Sequence, residues 1–127
     1  MRKPPVATAD FCDWYPSASV VRIRLESFGG ARSCCGLVQT ILTDDDNSAV
    51  RAQVGQPGEG RILVVDNGGS TNCAMLGGNL AAQASANGWA GIVVNGAVRD
   101  VDELREAPIA IFALSPCPLR SVGRGIG

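Results

Sequence analysis

The sequence contains no histidine and only one lysine, Lys3. Without histidine there is no His-based zinc site, no Ser-His-Asp triad and no Cys-His dyad. A Schiff base has only Lys3 to form on, and that residue sits in a lead with Pro4 and Pro5 (residues 1–9) that reads as flexible. Long apolar runs are missing as well. The opening "MRKPPVATADF" has basic residues but no apolar segment behind them, so neither a membrane span nor a secretory signal is read and a cytoplasmic location is expected. An excess of one charge is also missing: eleven Lys and Arg stand against twelve Asp and Glu, scattered, for a net charge of -1. Direct nucleic-acid binding is therefore not expected.

What is present is apolar: 46% hydrophobic and 18% charged residues over 127 positions predict one packed domain spanning 1–127. The five cysteines are odd in number, and the vicinal Cys34-Cys35 cannot bridge facing elements, so they read as reduced thiols, the pair serving as small buried hydrophobes. Chemistry must come from carboxylates, Arg, Ser, Cys or the backbone.

Along the chain, "TADFCDWYP" offers Thr8 or Asp10 as N-cap of a short helix stopped by Pro16. "SVVRIRLESFGG" alternates Val21, Ile23 and Leu25 with charged residues, a half-buried strand pattern ending at a Gly29-Gly30 turn. "CCGLVQTILT" is a second strand. "TDDDNS" lacks the glycine and terminal glutamate of a calcium loop and reads as a solvated helix start, with the helix ending in the Gly55 to Gly60 loop. "RILVVD" and "AGIVVNG" carry β-branched runs that predict strands buried on both faces. Between them Leu76, Leu80, Ala84 and Asn87 follow helical steps and Gly88 suits a left-handed C-cap, giving a right-handed βαβ unit. A short acidic helix at "DVDELREA" and a strand at "PIAIFALS" complete the α/β pattern.

Three places invite a functional reading. The turn Asp66-Asn67-Gly68-Gly69-Ser70 matches neither G-x-x-x-x-G-K-[ST] nor G-x-G-x-x-G, so it is either a weak anion loop or a tight turn. Gly77-Gly78 costs about 1 kcal/mol per glycine in a helix interior, which something must offset. Either an irregular entry precedes a helix that begins near Gly78, leaving the amides of Gly77 to Leu80 for a carboxylate, or the pair allows close packing. Arg99-Asp100 follows the second buried strand, where α/β folds place ligands. Arg supplies a fork for a carboxylate and Asp a hard oxygen for Mg²⁺ or Mn²⁺; the alternative is a surface ion pair capping the next helix.

Taken together, "FGGARS" (28–33), "GRILVVDNGGS" (60–70), "MLGGNLA" (75–81), "NGWAGIVVNGAVRDVDEL" (87–104) and "GIG" (125–127) resemble the family of regulator of ribonuclease activity A (RraA) and the class II 4-hydroxy-4-methyl-2-oxoglutarate aldolases. The resemblance implies a compact α/β fold of the swivelling, phosphohistidine-domain-like β/β/α type and a homotrimer with sites between subunits. For the aldolase branch it implies that Arg99 binds the pyruvyl carboxylate, that Asp100 holds a divalent metal, and that Gly77, Gly78, Asn79 and Leu80 meet the substrate through backbone amides. The implied activity is metal-dependent cleavage of 4-hydroxy-2-oxo diacids to pyruvate and a second keto acid, with oxaloacetate decarboxylation alongside. The regulatory branch, which binds ribonuclease E without catalysis, often lacks the Asp of the Arg-Asp pair.

The chain departs from the family pattern in three ways. The signature D-x20-R-D has Gly78 in its first position, Asn67 replaces a glycine of "VDGGGS", and the chain stops at Gly127. On usual family length, roughly thirty residues with closing strands are expected beyond that point. No glycine-rich S-adenosylmethionine loop supports the methyltransferase label some relatives once carried.

Overall fold

The computed structural model describes residues 6–122. Four helices and six strands follow in the order α1 (Thr8–Trp14), β1 (Glu26–Ser27), β2 (Val38–Leu42), α2 (Ser48–Val54), β3 (Ile62–Asp66), β4 (Ala74–Leu76), α3 (Gly78–Ala86), β5 (Gly91–Val98), α4 (Val101–Glu106) and β6 (Ala110–Pro116). One mixed sheet has the order β1-β6-β5-β3-β2, with β4 also paired to β5. β1 runs antiparallel to β6; the other pairs are parallel, in register Val38↔Ile62, Leu63↔Ile92 and Ile92↔Ile111. The fold is thus mixed α/β with a single sheet.

The path β2, β3, β5, β6 steps the same way across the sheet each time. Right-handed crossovers then put α2, α3 and α4 on one face, and α3 does touch both α2 and α4. Leu63, Val65, Ile92, Val94, Ile111 and Ala113 form one core with Val50, Val54, Ala81, Ala84 and Leu104 of the helices. Each large side chain so buried contributes about 1.5–3 kcal/mol.

The other face is more open than the β-branched runs predict. Ile62, Val64 and Val93 are half-buried, and Val38 and Leu42 of the edge strand β2 are 57% and 72% exposed. The strands are sealed on one side only, because among the described residues none of the helices that follow β2, β3 and β5 lies over the second. The pattern at Val21, Ile23 and Leu25 also yields less than expected. Only Glu26–Ser27 pairs, while Val21 and Ile23 are exposed, since no layer among the described residues faces them.

Several local expectations shift for physical reasons. α1 starts at Thr8 behind Ala7, so the expected lead overlaps the helix by two residues, while residues 1–5 lie outside the described residues. Gly29 and Gly30 make a close approach rather than a positive-φ turn: a Cβ on Gly29 would collide with the Ile109 carbonyl. Leu76 belongs to β4, paired with Val98, and the helix begins only after Gly77 in extended conformation (φ -129°, ψ -171°). At the far end Gly88 adopts φ +86° beyond Asn87, as a left-handed helix terminator requires. None of the five cysteines forms a disulfide; Cys34 is half-buried and Cys35 exposed, so the pair is not the buried hydrophobe predicted. Burial pushes the Cys34 thiol pKa up, with Cys35 adding to it, which favours the unreactive protonated form.

Candidate functional site

The C-terminal ends of β4 and β5 lie side by side, and the turns after them carry Gly77 to Leu80 and Arg99-Asp100. The Arg99 amide donates to the Leu76 carbonyl at 2.9 Å, which locks the two turns together. Asp100 then takes a left-handed conformation (φ 58°, ψ 48°), uncommon for a residue with a side chain and tolerated best by Asp and Asn. It occupies the N-cap position of α4 but makes no side-chain cap. Its Oδ2 instead accepts the Gly78 amide hydrogen at 3.0 Å, so the carboxylate bridges the N-termini of α3 and α4.

The two glycines of the pair differ in what lies over them. A Cβ on Gly77 would sit 2.8 Å from Asp100 Oδ2 and 3.4 Å from Arg99 Cγ and Nε, so Gly77 is bare because the Arg-Asp pair covers it. A Cβ on Gly78 would meet Glu103 instead, 2.9 Å from its Cβ and 3.0 Å from its Cδ, besides the carboxylate itself. Gly78 therefore spends its amide on Asp100 and its α-carbon face on Glu103. As the second and third residues of the first helical turn, Asn79 and Leu80 have amides without intrahelical acceptors.

Arg99, Asp100, Gly77, Asn79 and Leu80 border one cavity of about 340 Å³. Gly78 faces the neighbouring groove between α3 and α4 with Glu103 and Glu106. The cavity also takes Arg51 of α2, Arg120, and Asn47 and Ser121, none of which the sequence singled out as site residues. Their approach depends on long-range contacts: Ala74 bridges to Arg120, and the Asn47 amide donates to Ser121 Oγ at 2.9 Å. Three arginines against one aspartate give the cavity lining a positive balance, the sign that complements an anion.

The segment "TDDDNS" is not a solvated helix start. Asp46 is fully buried, with Oδ1 accepting the amide and hydroxyl of Ser48 at 2.9 and 2.6 Å. Asp45, at φ 54°, is tied to the turn at 66–70. Its Oδ1 accepts from Asn67 Nδ2 and Ser70 Oγ, both at 2.9 Å, and its Oδ2 from Asn72 at 3.1 Å. Asn67 Oδ1 in turn accepts from Thr43 Oγ1 at 2.7 Å and the Asp45 amide at 2.9 Å. Asp66 Oδ1 accepts from the Gly68 amide and Asn95 Nδ2, and these two bonds hold its pKa below the usual carboxylate value. The glycine-rich turn is thus a tight turn whose side chains satisfy one another, and it holds the loop that carries Asn47.

A hard divalent cation fits the donor set in one position. Asp100 Oδ2 is engaged by Gly78, and the carboxylate's second oxygen can serve as a single protein ligand at the mouth of the cavity. No group of three or more Cys, Asp or Glu residues able to hold a metal occurs among the described residues, so an all-protein cage is not what this site offers. Nor, among those residues, is any helix long and apolar enough to cross a membrane.

With this geometry in hand, comparison with known proteins places the chain. The family model described as RraA-like, Aldolase/RraA, matches residues 8–127. A curated relative from Thermus thermophilus, named 4-hydroxy-4-methyl-2-oxoglutarate aldolase, is 46% identical over 120 residues, covering 94% of this chain and 73% of its own. The solved structure of the RNA-processing inhibitor RraA from that genus superposes with a TM-score of 0.94 at 44% identity, covering 98% of this chain and 76% of the other. A structure from Geobacillus kaustophilus, titled S-adenosylmethionine:2-dimethylmenaquinone methyltransferase, superposes at 0.93 with 36% identity, covering 96% and 76%. This chain spans about three quarters of the length of each. A glycine pair under an Arg-Asp pair, on this sheet and across almost the whole sequence, is therefore that of a member of the RraA-like family.

Proposed function

We propose that the protein is a divalent-metal-dependent pyruvate aldolase acting on 4-hydroxy-2-oxo diacids of the 4-hydroxy-4-methyl-2-oxoglutarate type. The observation that carries the reading is the cavity itself: Arg99 and Asp100 sit together at its mouth, with two more arginines and the first-turn amides of α3 facing the same space. Support comes from the aldolase name of a relative 46% identical to this chain.

In this reading Arg99 clamps the C1 carboxylate with its planar fork, and the amides of Asn79 and Leu80 hold ligand oxygens at the positive end of α3. Mg²⁺ or Mn²⁺ at Asp100 would supply Lewis acidity to the 2-oxo group. The reaction removes the proton from the C4 hydroxyl, breaks the C3–C4 bond, and leaves its electron pair on C3 as the enolate of pyruvate. C4 departs as a keto group, and C3 recovers a proton. Oxaloacetate decarboxylation generates the same enolate with carbon dioxide as the leaving group. Lys3, the only lysine, lies outside the described residues and far in sequence from every cavity residue, consistent with a route that uses no Schiff base.

We also propose assembly as a homotrimer with the cavity at a subunit boundary, which the openness of the second sheet face favours. A second reading, a non-catalytic regulator that binds ribonuclease E, draws on the fold shared with the RNA-processing inhibitor. Retention of Asp100 favours the aldolase. Pyruvate release from oxaloacetate, with Mg²⁺ and with chelator, decides between them: chelator-sensitive release supports the aldolase, and its absence from folded protein supports the regulator.

A further inference from the structure

The charged groups around the cavity are mostly donors. Arg51, Arg99 and Arg120 only donate, and so do the amides of Asn79 and Leu80. Such a surface suits the carboxylates and the 2-oxo group of a keto diacid, all of which accept. A hydroxyl on the same ligand also carries an O–H, and that needs an acceptor.

Asn47 is that partner. It borders the cavity, is 7% exposed, and its Oδ1 is the buried side-chain acceptor without a hydrogen-bond partner among the described residues. An orphaned buried acceptor is costly and calls for an explanation. The backbone around it is fixed: its amide donates to Ser121 Oγ, which donates onward to the Asp45 carbonyl. The side chain is held less firmly. Nδ2 reaches the Met75 carbonyl only at 3.5 Å, the limit of a hydrogen bond, so a turn about χ2 forfeits little bonding. Of the other side-chain acceptors on the lining, Ser121 Oγ already receives the Asn47 amide, Asp100 Oδ2 receives the Gly78 amide, and Asn79 is exposed to solvent.

We infer that Asn47 reads the C4 hydroxyl of the substrate, accepting its hydrogen bond through Oδ1 and so selecting hydroxylated diacids over their deoxy counterparts. The inference rests on the aldolase reading for the identity of the hydroxyl, but the selectivity itself does not depend on turnover. Asn47 transfers no proton in this role; an amide oxygen only orients the O–H for removal.

The test uses two probes with one carbon skeleton, citramalate and methylsuccinate, which differ by a hydroxyl next to a carboxylate. Calorimetric titration of the full chain without added metal is expected to show citramalate binding about tenfold tighter than methylsuccinate, as one well-made hydrogen bond to a buried acceptor would give. The ratio is expected to fall to about one in Asn47→Ala and Asn47→Leu, through weaker citramalate binding at unchanged methylsuccinate binding. Under turnover with Mg²⁺, the same variants should lose 4-hydroxy-4-methyl-2-oxoglutarate cleavage while keeping oxaloacetate decarboxylation, which involves no such hydroxyl. Equal binding of the two diacids by the unsubstituted protein, or equal losses on both substrates in the variants, overturns the inference. A protein that releases no pyruvate yet shows the hydroxyl preference and loses it in Asn47→Ala contradicts the aldolase reading and upholds the role of Asn47.

Discussion

Two clusters of polar residues stand near the same end of the sheet, and they are finished to different degrees. In the clasp formed by Thr43, Asp45, Asn67 and Ser70, every bond that Asn67 can make through its side chain is made: two accepted and two donated. In the nearby cavity, Asn47 Oδ1 has no partner among the described residues, the Asn79 and Leu80 amides have no intrahelical acceptor, and three arginines line the space against one aspartate. A closed network is rigid and has nothing left to offer a ligand; an open one costs stability and is kept where a ligand completes it. The difference separates architecture from function without reference to any relative.

The sharpest way to break the comparison is to remove the carboxylate of the open cluster. Asp100→Ala is expected to cut Mg²⁺-dependent turnover at least about a hundredfold while leaving the melt cooperative, because the side chain is exposed and lies outside the core. Normal Mg²⁺ stimulation in that variant would remove Asp100 from the site.

The mirror experiment opens the closed cluster. Asn67→Ala removes one donor from the Asp45 carboxylate and the acceptor of both the Thr43 hydroxyl and the Asp45 amide, and should destabilise the protein by about 2–3 kcal/mol, read from urea titration, with turnover per folded molecule preserved. A loss of turnover at unchanged stability would make the clasp part of the chemistry.

Arg99→Lys keeps the charge and loses the bidentate fork. Oxalate inhibition should weaken by roughly 1–3 kcal/mol at unchanged stability.

Gly78→Asp separates the two glycines. Its Cβ collides with Glu103, and the new carboxylate repels that residue, so a loss of about 1–2 kcal/mol in thermal melts is expected, partly relieved when Glu103→Ala removes the facing carboxylate and leaves only the Cβ contact. An additive double variant would show that the two residues do not touch.

The smallest effect belongs to Asp66. Its pKa is lowered in the fold by the Gly68 amide and Asn95, so its contribution is complete above the unfolded value of about 3.9 and disappears as pH falls through the lower folded value. Asp66→Asn should therefore be slightly less stable near neutrality, with the gap to the unsubstituted protein closing below about pH 4 as the native carboxylate is protonated. Solvent screening keeps the gap small.

Much of this was legible in the sequence, for identifiable reasons. Strands β3 and β5 announce themselves through β-branched runs, and the helix entry at Gly78 and its left-handed end at Gly88 follow from glycine's special backbone. The Arg99-Asp100 turn was legible because both residues and the strand before them are contiguous. What stayed hidden is nonlocal. Nothing near Asn47 in sequence shows that its oxygen ends up buried and unpaired, since that depends on Ser121 and Met75, and Arg51 and Arg120 enter the cavity only through the packing of α2 and the bridge to Ala74. The strand pattern at 21–25 failed for the converse reason: alternation records a face that can be buried, and the described residues provide little to bury it against.

The central claim, that Arg99 and Asp100 form a metal-dependent aldolase site, is tested most directly by one measurement: pyruvate released from 4-hydroxy-4-methyl-2-oxoglutarate by the full chain, with Mg²⁺ and then with excess chelator. The account predicts steady release with Mg²⁺, abolished by chelator and restored by added Mg²⁺. Release that persists undiminished in chelator, or no release from protein shown by its melt to be folded, would contradict it.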